Sequence, residues 1–221
     1  MGYHYNYGLI WRHFDKLSSG LLLSLELALV SIGIGVVIGL CLALVHTGGN
    51  RFARVGVAAY VEFVRNVPLL LLVYLVFYGI PNIGGFAYDA TTSFIMTLSA
   101  YAGAQLVEVF RAGLAAVPQG LLDAGKAIGL TPVQRAIYVR FPIMFRIVLP
   151  ALSNAFVSLF KDTSLAAVIA VPELTYGAQW INFNTFRIVE VYSVVAPMYL
   201  VTGYGILFVL RRFERRFALR R

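Results

Sequence analysis

Long stretches without charged residues constrain this chain more than any other feature of its sequence. Neither the segment from Asn66 to Tyr88 nor the segment from Val191 to Leu210 contains a charged residue. Each is long enough to cross the roughly 30 Å hydrocarbon core of a bilayer as an α-helix. Only 13% of the whole chain is charged, whereas a soluble domain carries about 25% charged residues. The sequence therefore predicts a membrane protein.

Three further apolar segments complete a set of five predicted membrane spans. Glu26 interrupts the first span and Glu108 the third, while Lys161 and Asp162 divide the fourth. Because charges that face lipid are costly, we expect the divided span to place its charged pair against other helices or a wet cavity. The predicted spans are 17–46, 57–81, 89–111, 143–170 and 189–211, which together form one all-α transmembrane domain over residues 17–212.

The basic residues predict the orientation. An odd number of spans places the termini on opposite sides, and Lys and Arg accumulate in cytoplasmic loops. One predicted face carries 13 of the 18 basic residues, namely Arg51, Arg54, Arg111, Lys126, Arg135, Arg140, Arg146, Arg211, Arg212, Arg215, Arg216, Arg220 and Arg221. We therefore expect the amino terminus outside, and a cytoplasmic loop (112–141) and basic tail (213–221) inside. Topology thus explains the net charge of +8, and no nucleic-acid partner is expected.

Other features narrow the class further. Residues 1–16 are rich in aromatic side chains, which predicts an extracytoplasmic segment at the membrane interface. Its aromatic residues are Tyr3, Tyr5, Tyr7, Trp11 and Phe14. The single Cys41 excludes an internal disulfide, and no metal site is expected. The sequence contains no His-Glu-x-x-His or Gly-x-Ser-x-Gly motif, which disfavours a membrane hydrolase.

The longest polar excursion, from Arg111 to Phe141, has the pattern of two short helices. Thr131 followed by Pro132 is a helix start signal, and Gly129-Leu130 before it marks a break. A rigid helix-break-helix element has the shape of a docking surface, although an ordinary connector would also fit this pattern.

The stretch from Asp123 to Pro142 resembles the Glu-Ala-Ala loop of ABC-importer permeases, with every spacing kept. Asp123, Ala124 and Gly125 stand where that family has Glu-Ala-Ala, Gly129 stands at its glycine, Val139 at its isoleucine and Phe141-Pro142 at its Leu-Pro. Asp for Glu and Gly for Ala are the two departures at the start of the pattern. Further stretches are similar to the polar amino acid branch of the family, which serves His, Gln and Glu/Asp. They are Tyr60–Leu70, Glu108–Gly113 with Pro118–Gly120, and Leu149–Asn154 followed by Leu159–Leu165.

The resemblance implies the type I ABC importer permease fold in a bacterial cytoplasmic (inner) membrane. It further implies a second permease subunit, identical or paralogous, two cytoplasmic ATPase subunits and an extracytoplasmic substrate-binding protein. Its residues for coupling to the ATPase would be Asp123, Ala124, Gly125, Gly129, Val139 and Pro142. Because the chain has no Gly-x-x-x-x-Gly-Lys-Ser/Thr loop, it is not expected to be an enzyme or to hold a cofactor, and ATP and Mg²⁺ would be bound by the partner ATPase.

Candidate substrate contacts lie within the predicted spans. The cluster Lys161-Asp162-Thr163-Ser164 offers groups for both the ammonium and the carboxylate of an amino acid, and Glu26 is an ionisable residue inside the first span. Each could instead pair within the bundle; Glu26 could pair with Lys161 or with the second permease subunit.

Two Glu-x-x-Arg pairs, Glu62 with Arg65 and Glu108 with Arg111, are predicted to be structural ion pairs, because residues three apart share a helix face. The sequence as a whole predicts a pore-forming permease of an ATP-driven importer for polar amino acids. The alternative is an ATP-independent amino acid channel or secondary transporter.

Overall fold

The computed structural model describes residues 4–85 and 88–217, and this part of the chain is helical with no strand. Four helical stretches are long and apolar enough to cross a bilayer, namely Phe14–Gly48, Ala90–Ala115, Pro132–Ile169 and Ile188–Arg216. The helices Arg51–Asn66 and Leu69–Gly84, bent by 106°, pass the same test when taken together. The predicted all-α fold with apolar spans is confirmed. Met1–Tyr3 of the predicted interfacial segment, and Arg220 and Arg221 of the predicted tail, lie outside the described residues.

Eleven α-helices follow one another along the described chain. They are α1 (Gly8–Arg12), α2 (Phe14–Gly48), α3 (Arg51–Asn66), α4 (Leu69–Tyr74), α5 (Ile80–Gly84), α6 (Ala90–Ala115), α7 (Gln119–Ala127), α8 (Pro132–Arg135), α9 (Phe141–Asp162), α10 (Leu174–Thr185) and α11 (Ile188–Phe217). The π-helical turns Leu75–Gly79 and Ala136–Arg140 join α4 to α5 and α8 to α9, and the 3₁₀-helix Thr163–Ile169 extends α9.

Prolines explain where the helices bend or widen. Within the stretch predicted as the second span, Val67 and Pro68 have ψ angles of 130° and 134°, so α3 ends there and α4 starts in a new direction. A proline disfavours the helical conformation of the residue before it. Each π-helical turn ends two residues before a proline, Pro81 or Pro142. A proline has no N–H to donate to the carbonyl four residues before it. In both cases that carbonyl lies inside the π-helical turn, where hydrogen bonds span five residues instead of four.

Helices α2 and α6 form the central contact of the bundle, and small residues bring their backbones together. A Cβ atom placed on Gly35 would lie 2.6 Å from the Cβ of Ala102, and one placed on Gly39 would lie 2.7 Å from the Cβ of Leu106. Gly35 and Gly39 form a Gly-x-x-x-Gly motif in the first span, and in this structure the motif serves a contact inside the chain.

Three buried clusters are stacked along the bundle and define its two ends. The first contains Ile10, Leu17, Leu174, Ala178, Ile181, Val191 and Val195. The second contains Leu27, Ala28, Ile32, Leu69, Val73, Phe94, Leu98, Ala102, Leu159, Phe160, Ala166, Ile169 and Val171. The third contains Ala43, Val57, Val61, Leu106, Val107, Phe110, Leu114, Val117, Met144 and Val148. The amino-terminal residues, α10 and the start of α11 thus lie at one end, called the α10 end, and the ends of α2 and α6 lie at the other, called the α7–α8 end.

Candidate functional site

The segment 119–140, called the α7–α8 element, is held in shape by local backbone chemistry. Gly129 has φ of +82°, a left-handed conformation that favours glycine. The Leu130 N–H donates to the Gly125 carbonyl and the Gly129 N–H to the Lys126 carbonyl, both at 3.0 Å. This pair of bonds is the Schellman motif, which satisfies the last carbonyls of α7 and turns the chain.

The next helix begins as the sequence predicts. Thr131 is the N-cap of α8, and its side chain accepts a hydrogen bond from the Gln134 N–H while the Gln134 side chain accepts one from the Thr131 N–H. Pro132 occupies the first turn, where its missing N–H costs nothing. Both caps are made by hydrogen bonds within the α7–α8 element itself.

Much of the apolar surface of the α7–α8 element is uncovered by this chain. Ile128 is 77% exposed, Tyr138 is 69% exposed and Val133 is 67% exposed. Among the residues of the Glu-Ala-Ala-like pattern, Asp123, Ala124, Gly129 and Pro142 are exposed, Val139 is half-buried and Gly125 is buried.

The buried Gly125 explains one departure from the family pattern. A Cβ atom at this position would lie 3.3 Å from the Cγ of Arg135, so the glycine lets the arginine stem pack against α7. The Nε atom of Arg135 is buried and has no hydrogen-bond partner within the described residues. The junction of α7 and α8 thus depends on close packing of a glycine against an aliphatic stem.

The predicted substrate cluster lies where α9 passes into the 3₁₀-helix. Lys161 is exposed, Asp162 and Ser164 are half-buried, and Thr163 is buried with its hydroxyl donating to the Phe160 carbonyl at 2.7 Å. Three members of the cluster therefore keep accessible polar groups, while the hydroxyl of Thr163 is already used by the helix end.

The suggested pair between Glu26 and Lys161 does not form. Glu26 is exposed on α2, and no ion pair joins it to Lys161 in the described part of the chain. Both side chains lie on faces that this chain leaves uncovered. Each is therefore available to a group from outside the chain.

Of the two predicted structural ion pairs, the structure contains one. Arg111 Nη1 lies 2.7 Å from Glu108 Oε1, with both side chains partly exposed. Glu62 and Arg65 are both exposed, and within residues 4–85 and 88–217 they are not joined by an ion pair. Spacing alone does not hold two solvated side chains together, because an exposed pair gains little energy.

Sequence reasoning missed a buried carboxylate at the α10 end. Glu173 is fully buried and caps α10 by accepting a hydrogen bond from the Tyr176 N–H at 2.9 Å. Its other oxygen accepts from the hydroxyls of Ser24, at 3.1 Å, and Tyr199, at 2.8 Å. Burial raises the pKa of the Glu173 carboxyl, and these hydrogen bonds offset part of the rise.

The network around Glu173 joins three helices, since Ser24 lies on α2 and Tyr199 on α11. Gly20 permits this approach, because a Cβ there would lie 2.8 Å from the Glu173 backbone. One sequence signal could have found the site: Glu173 is the only charged residue between Asp162 and Arg187.

Comparison with known proteins identifies the family to which this chain belongs. Residues 35–219 match the family described as binding-protein-dependent transport system inner membrane component. The glutamine transport system permease protein GlnP of Escherichia coli (strain K12) is 32% identical over 213 residues, covering 96% of this chain and 97% of that protein. The probable glutamine ABC transporter permease protein GlnP of Bacillus subtilis (strain 168) is 34% identical, covering 93% of this chain and 95% of that protein.

The fold agrees with a solved structure. The crystal structure of an amino acid ABC transporter with histidines contains a chain that superposes with a TM-score of 0.89 at 29% identity, covering 97% of this chain and all of that one. The resemblance seen in the Glu-Ala-Ala-like loop and the type I importer permease fold are thereby confirmed. The chain is a multi-pass membrane protein that belongs to the family of inner membrane components of binding-protein-dependent transport systems.

Proposed function

We propose that this chain is the pore-forming permease subunit of an ATP-driven importer for polar amino acids in a bacterial inner membrane. The relatives that carry glutamine permease names, and the amino acid transporter whose fold it shares, support this class of substrate. The chain has no phosphate-binding Gly-x-x-x-x-Gly-Lys-Ser/Thr loop, so ATP and Mg²⁺ would be bound by a partner ATPase.

The observation that carries the proposal is the α7–α8 element. A short helical unit with fixed caps and uncovered apolar side chains is suited to rest in a groove of another protein. Since α8 runs through a π-helical turn directly into α9, a displacement of the element is transmitted to a transmembrane helix as movement of a rigid body. ATP-driven closure of the partner would in this way alternate access to the pore.

The exposed charges on the spans support a pore shared with a second permease subunit. Glu26 and Lys161 lie inside apolar helices, where contact with lipid would be costly. A partner permease or a water-filled passage between the two subunits would remove that cost. The second subunit can be identical or paralogous.

The passage would carry the amino acid past the end of α9. The Lys161 ammonium can bind a substrate carboxylate, and the Asp162 carboxylate can bind its ammonium. Ser164 adds a hydroxyl, and Glu26 on α2 adds a second carboxylate. Thr163 supplies the backbone position between Asp162 and Ser164. An extracytoplasmic binding protein would deliver the amino acid at the α10 end.

Reconstitution tests the proposal. The chain is incorporated into liposomes alone or with its ATPase partner, with the binding protein and labelled glutamine outside and ATP enclosed. Accumulation against a gradient is expected only when the ATPase, ATP and the binding protein are all present. Equal uptake by the chain alone would instead identify an ATP-independent channel or secondary transporter.

A further inference from the structure

A basic cavity of about 450 Å³ lies at the α7–α8 end, where the ends of α2, α3, α6 and α9 meet. Its charged walls are Arg54, Arg111, Arg140 and Glu108, and His46 lies beside them. Three guanidinium groups face one carboxylate, so the cavity carries an excess of positive charge. The substrate cluster contributes nothing to this excess, and the α7–α8 element contributes only its last residue, Arg140.

The arginines of the basic cavity use few of their N–H groups within the chain. Arg111 bonds to Glu108 through Nη1 at 2.7 Å, and Arg54 donates from Nε to the Gly49 carbonyl at 3.1 Å. Arg140 reaches the Leu114 carbonyl only at 3.4 Å, and its Nε atom is buried without a hydrogen-bond partner among the described residues. Each guanidinium has five N–H donors. Most donors in the cavity thus have no partner among the described residues and can bind an anion with several oxygen atoms.

The cavity lies at the ends of apolar helices and has apolar as well as basic walls. Its remaining lining includes the apolar Leu114, while Phe52 and Val55, on the helix that carries Arg54, are 85% and 60% exposed. Arginines next to uncovered apolar side chains, at the ends of membrane-spanning helices, match a ligand with an anionic head and a hydrocarbon tail.

We propose that the basic cavity binds the phosphodiester headgroup of an anionic phospholipid. The guanidinium groups of Arg54, Arg111 and Arg140 donate to the phosphate oxygens, and the acyl chains follow the apolar surface toward the spans. This assignment rests on the proposed orientation, in which the α7–α8 end faces the cytoplasm. An acidic protein partner is less well suited, because the cavity lies at the span ends whereas the docking surface described above projects from α7 and α8.

Native mass spectrometry of the delipidated, nucleotide-free permease complex tests the proposal. Phosphatidylglycerol and phosphatidylcholine with the same acyl chains are titrated separately, and inorganic phosphate is added as a competitor. The variants Arg54→Gln and Arg140→Gln each remove one guanidinium of the cavity. Arg51→Gln is the matched control, since Arg51 lies on the same helix as Arg54, is exposed and does not line the cavity.

Phosphatidylglycerol is expected to bind in preference to phosphatidylcholine, with about tenfold weaker binding in Arg140→Gln or Arg54→Gln and no change in Arg51→Gln. If one cavity variant fails to assemble, the other still gives the result. Equal binding of both lipids, or an equal loss in Arg51→Gln, would overturn the proposal. Displacement by millimolar phosphate would overturn the lipid assignment in favour of free phosphate. Because no nucleotide or transport is involved, a negative result leaves the proposed import function standing.

Discussion

The two ends of the bundle differ in how many of their buried polar groups are hydrogen-bonded within the chain. At the α10 end, the buried carboxylate of Glu173 accepts hydrogen bonds from α2, α10 and α11. At the α7–α8 end, Ile128 and Tyr138 are 77% and 69% exposed, and Arg135 and Arg140 keep buried Nε atoms without partners among the described residues.

The two ends are therefore expected to serve different purposes. At the α10 end, Phe183 and Phe186 are also exposed, but the buried carboxylate of Glu173 is fully hydrogen-bonded within the chain, so the residues of this network are expected to determine stability. The α7–α8 end has a rigid shape but an uncovered surface, so its residues are expected to determine association and coupling.

The largest effect is expected at the contact of α2 with α6, which connects the two ends. In Gly35→Val, the added Cβ would lie 2.6 Å from the Cβ of Ala102 and 3.1 Å from the Gly103 nitrogen. Backbone atoms cannot move aside cheaply, so the variant should lose about 3 kcal/mol of stability. Thermal unfolding in detergent measures the loss. Gly33→Val is the control, because Gly33 on the same helix has no neighbouring atom within 4 Å of its added Cβ.

Glu173→Ala should have the next largest effect, about 2 kcal/mol, because it removes the cap of α10 at the Tyr176 N–H and the hydrogen bonds from the Ser24 and Tyr199 hydroxyls. Glu173→Gln keeps one side-chain oxygen and should lose less. The measurement is again thermal unfolding in detergent. An unchanged unfolding temperature in Glu173→Ala would show that the α10 end is not held by this network.

Stability should also depend on pH through Glu173, by about 1 kcal/mol for each unit of pKa shift. Burial raises the folded-state pKa above the ordinary value of 4.5. Between pH 4.5 and the raised pKa of the folded state, the folded state binds more protons than the unfolded state. Stability therefore falls as pH rises from 4.5 through the folded-state pKa. Unfolding temperatures measured across this window should fall more steeply for the wild type than for Glu173→Gln. Parallel curves would contradict the assignment.

The smallest effect is expected from the two Glu-x-x-Arg pairs. Glu108→Gln removes the ion pair with Arg111 and should lose about 0.5 kcal/mol, because both side chains are partly exposed. Glu62→Gln should change nothing measurable, since Glu62 is not paired with Arg65 in the part of the chain described. Chemical denaturation measures the loss of stability in both variants. A larger loss in Glu62→Gln than in Glu108→Gln would contradict this expectation.

Local signals made much of the α7–α8 element predictable. Thr131, Pro132 and Gly129 act through bonds to residues within five positions, so the sequence alone identifies the caps and the break. The apolar spans were equally visible, because hydropathy is a property of each segment by itself.

Contacts between distant segments could not be read in the same way. Ser24 and Glu173 are 149 positions apart, and only the packing of α10 against α2 brings them together. For the same reason the sequence could not decide whether Gly35 and Gly39 meet α6 or another subunit. It also could not show that Glu26 and Lys161 lie on uncovered faces and form no ion pair with each other in the described part of the chain.

Coupling through the α7–α8 element is tested by comparing Gly129→Val with Gly120→Val in ATP-driven uptake by the reconstituted importer. Both glycines are exposed, and an added Cβ meets nothing within 4 Å at either position, but only Gly129 has a positive φ, of +82°. A β-branched residue there strains the turn by about 1–3 kcal/mol and reorients α7 against α8. We expect Gly129→Val to insert normally and lose at least about tenfold in uptake, and Gly120→Val to transport at nearly the normal rate. Normal uptake by Gly129→Val would contradict the role of the α7–α8 element in coupling.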